Sequence, residues 1–171
     1  MNILILGGNS KRHKQWVRDL KDSLKDSFDR VVYVDYAHWE SGDEQADIEY
    51  EISQAARLAS ELGSYAIVAK SIGTVIAMEG IASGVLQPSS TLLMGLPLGR
   101  VASSSDCADM LSLLPPTTFL QNDRDPVGGA EDIRVFIESN PPAVWDLSVS
   151  SGDTHDYSDF ALVRALLQNR D

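Results

Sequence analysis

Six short apolar runs alternate with longer amphipathic stretches from one end of the chain to the other, and this alternation restricts the fold more than any single motif. The runs are residues 2–6 (NILIL), 31–35 (VVYVD), 65–69 (YAIVA), 91–94 (TLLM), 117–121 (TTFLQ) and 143–147 (AVWDL). Between them lie helical patterns. Over 11–28 the apolar positions Trp16, Val17, Leu20, Leu24 and Phe28 recur mostly at spacings of three and four. Further helices are expected over 43–62, ended by Gly63, over 74–82, stopping near Gly84, and over 131–139 and 158–167, with a short one near 108–113 in an otherwise irregular stretch. Strands this apolar are buried on both faces. Parallel neighbours need a crossover, and crossovers are right-handed, so the pattern implies an α/β architecture with a mainly parallel sheet covered on both sides.

The 171 residues, 43% of them hydrophobic, suffice for one well-buried domain over 1–171. Fourteen basic and 25 acidic residues give a net charge of -11, with the acids scattered along the chain. Such a surface repels phosphate backbones and anionic membranes, so neither nucleic acid nor membrane is expected as a partner. The single cysteine, Cys107, has no internal disulfide partner, and no apolar run has the length of a membrane span or the plan of a signal peptide. A cytoplasmic location is expected. No metal or cofactor is expected, and a homo-oligomer stays open.

Ligands of such sheets bind at the carboxyl ends of the strands. The segments just after the six runs are Gly7-Gly8-Asn9-Ser10, residues 35–39, Lys70-Ser71, Gly95-Leu96-Pro97, residues 122–126 and residues 152–157. Ser71 stands out among them. It is caught between the buried run 65–69 and the helix that follows, where a tight turn projects its hydroxyl beside free helix amides. Ala69 and Gly73, two residues to either side, are small enough for strand and helix to pass closely. The same pattern fits a serine that merely caps a helix. A phosphate-binding loop is excluded, because the glycines it needs just before the lysine and five residues earlier are here Ala69 and Ser64.

A serine turn after the third run, Asp125-Pro126 after the fifth, His155 after the sixth and a glycine turn after the first together resemble the α/β-hydrolase superfamily, whose triad follows the chain order serine, acid, histidine. The resemblance covers nearly the whole chain. It implies a three-layer αβα sandwich with six parallel strands in the order 2-1-3-4-5-6, lacking the family's first two antiparallel strands, as in small, compact members. Two positions depart from the family pattern: Ala69 replaces the first elbow glycine, and Gly7 stands where histidine is frequent. No long insertion supplies a lid, although the stretch 100–114, with its Ser103-Ser104-Ser105 run, could overhang the site.

The chemistry that the resemblance implies is that of a serine hydrolase acting on an ester or related acyl bond of a small or exposed substrate. Ser71 would attack the carbonyl carbon, His155 would shuttle the proton and Asp125 would orient the imidazolium. Asp123 competes for the acid's role, and Asp125 is preferred on the family's Asp-Pro pattern. The oxyanion would take the Ile72 N–H and a second donor, with Asn9 the first choice and Gly8 or Ser10 as alternatives. Substrate contacts are expected from Gly8, Ser10, His38, Lys70 and Leu96. His38 and Trp39 read equally well as surface loop residues. His13, set among Lys11, Arg12 and Lys14, reads as the solvated start of a helix. Lys70 reads either as half of a surface ion pair or as a bias toward anionic substrates. A non-catalytic interaction module with the same fold is the alternative function, and a flavodoxin-like or receiver-type sheet, which would not need His155, is a more remote one.

Overall fold

The computed structural model describes residues 1–102 and 107–169, so the Ser103–Ser105 run lies outside the described residues. Among the described residues six strands form, β1 (Asn2–Leu6), β2 (Arg30–Tyr33), β3 (Tyr65–Lys70), β4 (Ser90–Met94), β5 (Thr117–Asn122) and β6 (Trp145–Ser150). Their order is β2-β1-β3-β4-β5-β6, with every neighbouring pair parallel. This is the α/β sheet that the alternation of runs implies. β3 and β4 are buried along their whole length and β1 along all but its first residue, which explains the apolar runs at their centres.

The described helices are α1 (His13–Leu24), α2 (His38–Ser41), α3 (Ile48–Ala59), α4 (Ile72–Ala82), α5 (Leu98–Val101), α6 (Cys107–Ser112), α7 (Ala130–Ser139) and α8 (Phe160–Gln168). The step from β1 to β2 runs opposite to every later step, so right-handed crossovers put α1 on one face and α3, α4, α6 and α7 on the other. Packing agrees. α1 lies against α8, and α4 lies against α3 and α6. Among the described residues no helix is long and apolar enough to cross a membrane.

Several elements differ from the sequence reading: β2 is Arg30–Tyr33 rather than 31–35, and α5 forms at Leu98–Val101 over residues read as loop. The last strand is Trp145–Ser150 rather than 143–147, because its register with β5 begins at Thr117↔Trp145 and the pairing runs on through Ser150. As an edge strand it is only partly buried, and the polar alternation of WDLSVS hides it from a search for apolar runs. The stretch 43–62 holds a shorter helix, α3, whose N-cap Asp47 accepts from the Tyr50 N–H, while α2 forms earlier, over residues read as loop. The first helix ends at Leu24, before Phe28.

The elbow depends on a glycine. A Cβ on Gly73 would lie 2.4 Å from the Leu6 carbonyl oxygen and 2.7 Å from that of Gly7, so α4 can cross the end of β1 only where a side chain is missing.

Candidate active site

Ser71 follows β3 directly, with φ 55° and ψ -122°, and it is the one non-glycine residue with positive φ among the described residues. Such a conformation costs on the order of 1–3 kcal/mol and is held only by strong surroundings. Those surroundings are visible. The Ser71 N–H donates to the Met94 carbonyl (3.0 Å), and the Ser71 carbonyl accepts from the Thr74 N–H (2.9 Å) and the Thr74 hydroxyl (2.7 Å). Ala69 is fully buried within β3, so its methyl group is accommodated.

Asp125 and His155 come together from the loops after β5 and β6. His155 Nδ1 lies 2.8 Å from Asp125 Oδ2 and 3.0 Å from Oδ1, and the acid's side chain is fully buried. A carboxylate only accepts, so Nδ1 carries the proton and Nε2 is left as an acceptor. Nε2 is buried and has no hydrogen-bond partner among the described residues. The ring lies against Gly95, where an added Cβ would be 2.9 Å from His155 Cε1, and Gly95 follows the residue whose carbonyl holds the Ser71 N–H.

Asp125 has further donors. The Val127 N–H donates to Oδ1 (2.8 Å) and the Tyr157 hydroxyl to Oδ2 (2.6 Å). The same hydroxyl accepts from the Asn122 N–H (3.1 Å), and burial together with the neighbouring carboxylate holds the phenol's pKa far above its ordinary value. Tyr157 was missed in the sequence, where a tyrosine two residues after a loop histidine carries no periodic signal. Tyr157→Phe is expected to cost about 1–3 kcal/mol, since it orphans the Asn122 N–H and leaves one carboxylate oxygen underbonded. Urea unfolding at pH 7 checks this, and an unchanged midpoint would refute it.

Asp123 points elsewhere. Its Oδ1 accepts from the Gly152 N–H (2.7 Å), which is the main reason its pKa is lowered, and its side chain is 38% exposed beside Arg124. It ties the acid loop to the histidine loop, as does Asn122, whose Nδ2 donates to the Thr154 carbonyl (2.8 Å).

A cleft of about 280 Å³ opens at the elbow, with Ser71, Ile72 and Asn9 in its lining and Glu44, Pro97 and Arg100 around them. Ile72 is the first residue of α4, so its N–H has no acceptor within the helix. The Asn9 side chain is tied down, with Nδ2 donating to the Glu44 carbonyl (2.7 Å) and Oδ1 accepting from the Ala46 N–H (3.0 Å).

The remaining residues singled out in the sequence lie outside that lining. Leu96 is 1% exposed and its N–H donates to Gln121 Oε1 (3.1 Å), so Pro97 takes the place at the cleft. Ser10 is exposed, and its carbonyl accepts from the His13 N–H at the start of α1. His38 is buried, not a surface residue, and its Nε2–H donates to the Asn9 carbonyl (2.5 Å). Gly8 is buried beneath the His13 ring. Lys70 and His13 are both buried, contrary to the surface placements read from the sequence, and Lys70 Nζ lies 2.8 Å from His13 Nε2.

Burial, and then the Lys70 charge, lower the His13 pKa from 6.5 to about 4. Between those values the unfolded chain binds a proton that the folded chain refuses, so stability must fall as the pH drops through this window. The full effect is about 3 kcal/mol. Urea midpoints between pH 7 and pH 4 should show this slope, and His13→Gln should flatten it. An equally steep slope in the variant would exclude His13 as the cause.

No protein-family model and no curated protein matches the sequence. Solved structures do match. An uncharacterized protein from Bacillus cereus ATCC 10987 superposes with TM-score 0.75 at 15% identity, over 98% of this chain and 59% of that one. Est1E from Butyrivibrio proteoclasticus, solved with ferulic acid bound, gives 0.74 at 13% identity, over 98% and 86% of the two chains. An alpha-beta serine hydrolase homologue from Coxiella burnetii gives 0.74 at 16% identity, over 100% and 85%. With the strand order and the elbow after β3, these superpositions make the fold that of the α/β hydrolases.

Proposed function

We propose that the protein is a serine hydrolase that cleaves an ester or related acyl bond, with Ser71 as nucleophile, His155 as base and acid, and Asp125 as the residue that orients it. The observation that carries this reading is the His155–Asp125 contact of 2.8 Å, in a chain whose Ser71, at the strand–helix junction, is held at positive φ and lines a cleft. The shared fold with Est1E and with the Coxiella burnetii serine hydrolase homologue supports it.

The reaction begins with Ser71 Oγ attacking the carbonyl carbon while its proton passes to His155 Nε2. Charge then develops on the carbonyl oxygen, and the Ile72 N–H and the Asn9 N–H are the donors proposed for it. His155 returns the proton to the departing alcohol, which leaves an acyl ester on Ser71. Water attacks that ester, giving its proton to Nε2, and collapse of the second tetrahedral intermediate releases the acid and restores the serine hydroxyl. Nε2 has no hydrogen-bond partner among the described residues, so this proton transfer requires Ser71 Oγ and Nε2 to close to hydrogen-bond distance.

A panel of short-chain p-nitrophenyl esters and a serine-directed fluorophosphonate test the reading. One label per chain, at Ser71, and turnover of the shorter esters are expected. A folded protein that takes no label from reagents of several sizes at pH 7 would instead be an interaction module that retains the fold.

A further inference from the structure

Among the described residues the reaction above leaves one buried cation, Lys70, unused. Lys70 is the last residue of β3, immediately before Ser71, and only 1% of it is exposed. Its Nζ lies 2.8 Å from His13 Nε2 and 5.9 Å from the centre of the Trp16 ring, so two residues about one turn apart on α1 both contact the ammonium. An ammonium can only donate, so Nε2 accepts and the His13 proton sits on Nδ1. The ring so fixed covers Gly8, where a Cβ would lie 2.5 Å from His13 Nδ1. Trp16 in turn donates from Nε1 to the Tyr157 carbonyl (2.8 Å), and the Tyr157 hydroxyl donates to Asp125. Helix α1 thereby reaches all three parts of the site: the elbow through Lys70, the loop with Asn9 through His13 against Gly8, and the acid and histidine through Trp16.

We propose that the Lys70–His13 pair is a positioning device for the serine hydrolase site, fixing the Gly8–Asn9 backbone relative to Ser71. The inference rests on the serine hydrolase reading and adds to it. A device that served stability alone would be badly chosen, because removing an ammonium and an imidazole from water is costly and an apolar pair of similar volume could fill the same space. The cost is visible in both groups. Burial lowers the Lys70 pKa to about 8, with Arg12 adding to the effect and Asp156 and Asp125 opposing it, while His13, which also faces Arg12, Asp156 and His155, stays neutral.

A misplaced oxyanion donor lowers transition-state binding and leaves ground-state binding largely intact, so the test reads kcat against KM. Lys70→Met is expected to lower kcat about tenfold or more with KM within about twofold, and replacing both partners, Lys70→Met with His13→Leu, to leave the urea midpoint equal or higher, since neither half of the pair is then buried without the other. His13→Leu and the double variant should lose about as much as Lys70→Met alone, because the two residues act as a unit. His13→Gln, whose amide oxygen can still accept from Lys70, should keep at least about half of the parental kcat. Should Lys70→Met fail to fold, the contrast between His13→Leu and His13→Gln decides the matter. A folded Lys70→Met or His13→Leu with parental kcat, a loss confined to KM, or losses that multiply in the double variant would overturn the pair's role while the parent stays active. A parent that neither labels nor turns over esters would overturn the serine hydrolase reading, and this inference with it.

Discussion

Ser71→Ala and His155→Ala are each expected to lower ester hydrolysis by roughly a thousandfold or more, and the double variant should lose little beyond either single one. The lack of additivity is the informative part. Without Nε2 as an acceptor the serine hydroxyl is a weak nucleophile, and without the hydroxyl the base has nothing to activate, so the second deletion removes a function already gone. Fluorophosphonate labelling should disappear in Ser71→Ala and nearly disappear in His155→Ala. Stability should tell a different story. Ser71 Oγ makes no hydrogen bond among the described residues, and alanine at positive φ is no better placed than serine, so the urea midpoint of Ser71→Ala should stay close to the parent's. Labelling that persists at another serine in Ser71→Ala would move the nucleophile away from the elbow.

The architecture was legible because central parallel strands leave little choice of residue. NILIL, YAIVA and TLLM are buried on both faces, and a run with no polar alternation is what such strands require. Where a strand is half exposed the signal weakens, as it did for β6, whose WDLSVS mixes polar and apolar positions at the sheet's edge. The elbow was legible for a related reason. A serine closing a buried strand and opening a helix needs small neighbours, and Gly73 over the Leu6 carbonyl shows why.

The surroundings of the site were harder to read. His13 stands among Lys11, Arg12 and Lys14, and the local charge suggested a solvated helix start. Its spacing said otherwise, because His13 precedes Trp16, Val17, Leu20 and Leu24 by three, four, seven and eleven residues, all buried on α1's inner face. Lys70 hid behind its polarity. It ends a strand whose every residue is buried, and a partner 57 positions earlier in the chain satisfies it. Tyr157 had no local signal at all, since the partners of its hydroxyl, Asn122 and Asp125, lie more than 30 residues away.

Asp125→Asn is expected to lower kcat/KM by roughly 10³ to 10⁴, with Asp123→Asn within about twofold of the parent. The asymmetry follows from what each carboxylate accepts. Asp125 Oδ1 takes the Val127 N–H, and Oδ2 takes both His155 Nδ1–H and the Tyr157 hydroxyl. An asparagine can keep its oxygen toward Val127 only by turning its NH₂ toward two donors. The least costly escape is for His155 to shift its proton to Nε2, so that Nδ1 accepts from the amide. That tautomer cannot take the Ser71 proton. Turning the amide the other way preserves the histidine's bond but sets NH₂ against the Val127 N–H in a fully buried position. Asp123 faces no such conflict, because its main partner is the Gly152 N–H at a partly exposed site, an asparagine oxygen accepts from that group equally well, and the Arg124 contact it would lose is solvent-exposed. Steady-state hydrolysis of a short-chain p-nitrophenyl ester at pH 7, with circular dichroism to show that both variants fold, makes the comparison. A large loss in Asp123→Asn with Asp125→Asn near the parent would transfer the acid's role to Asp123.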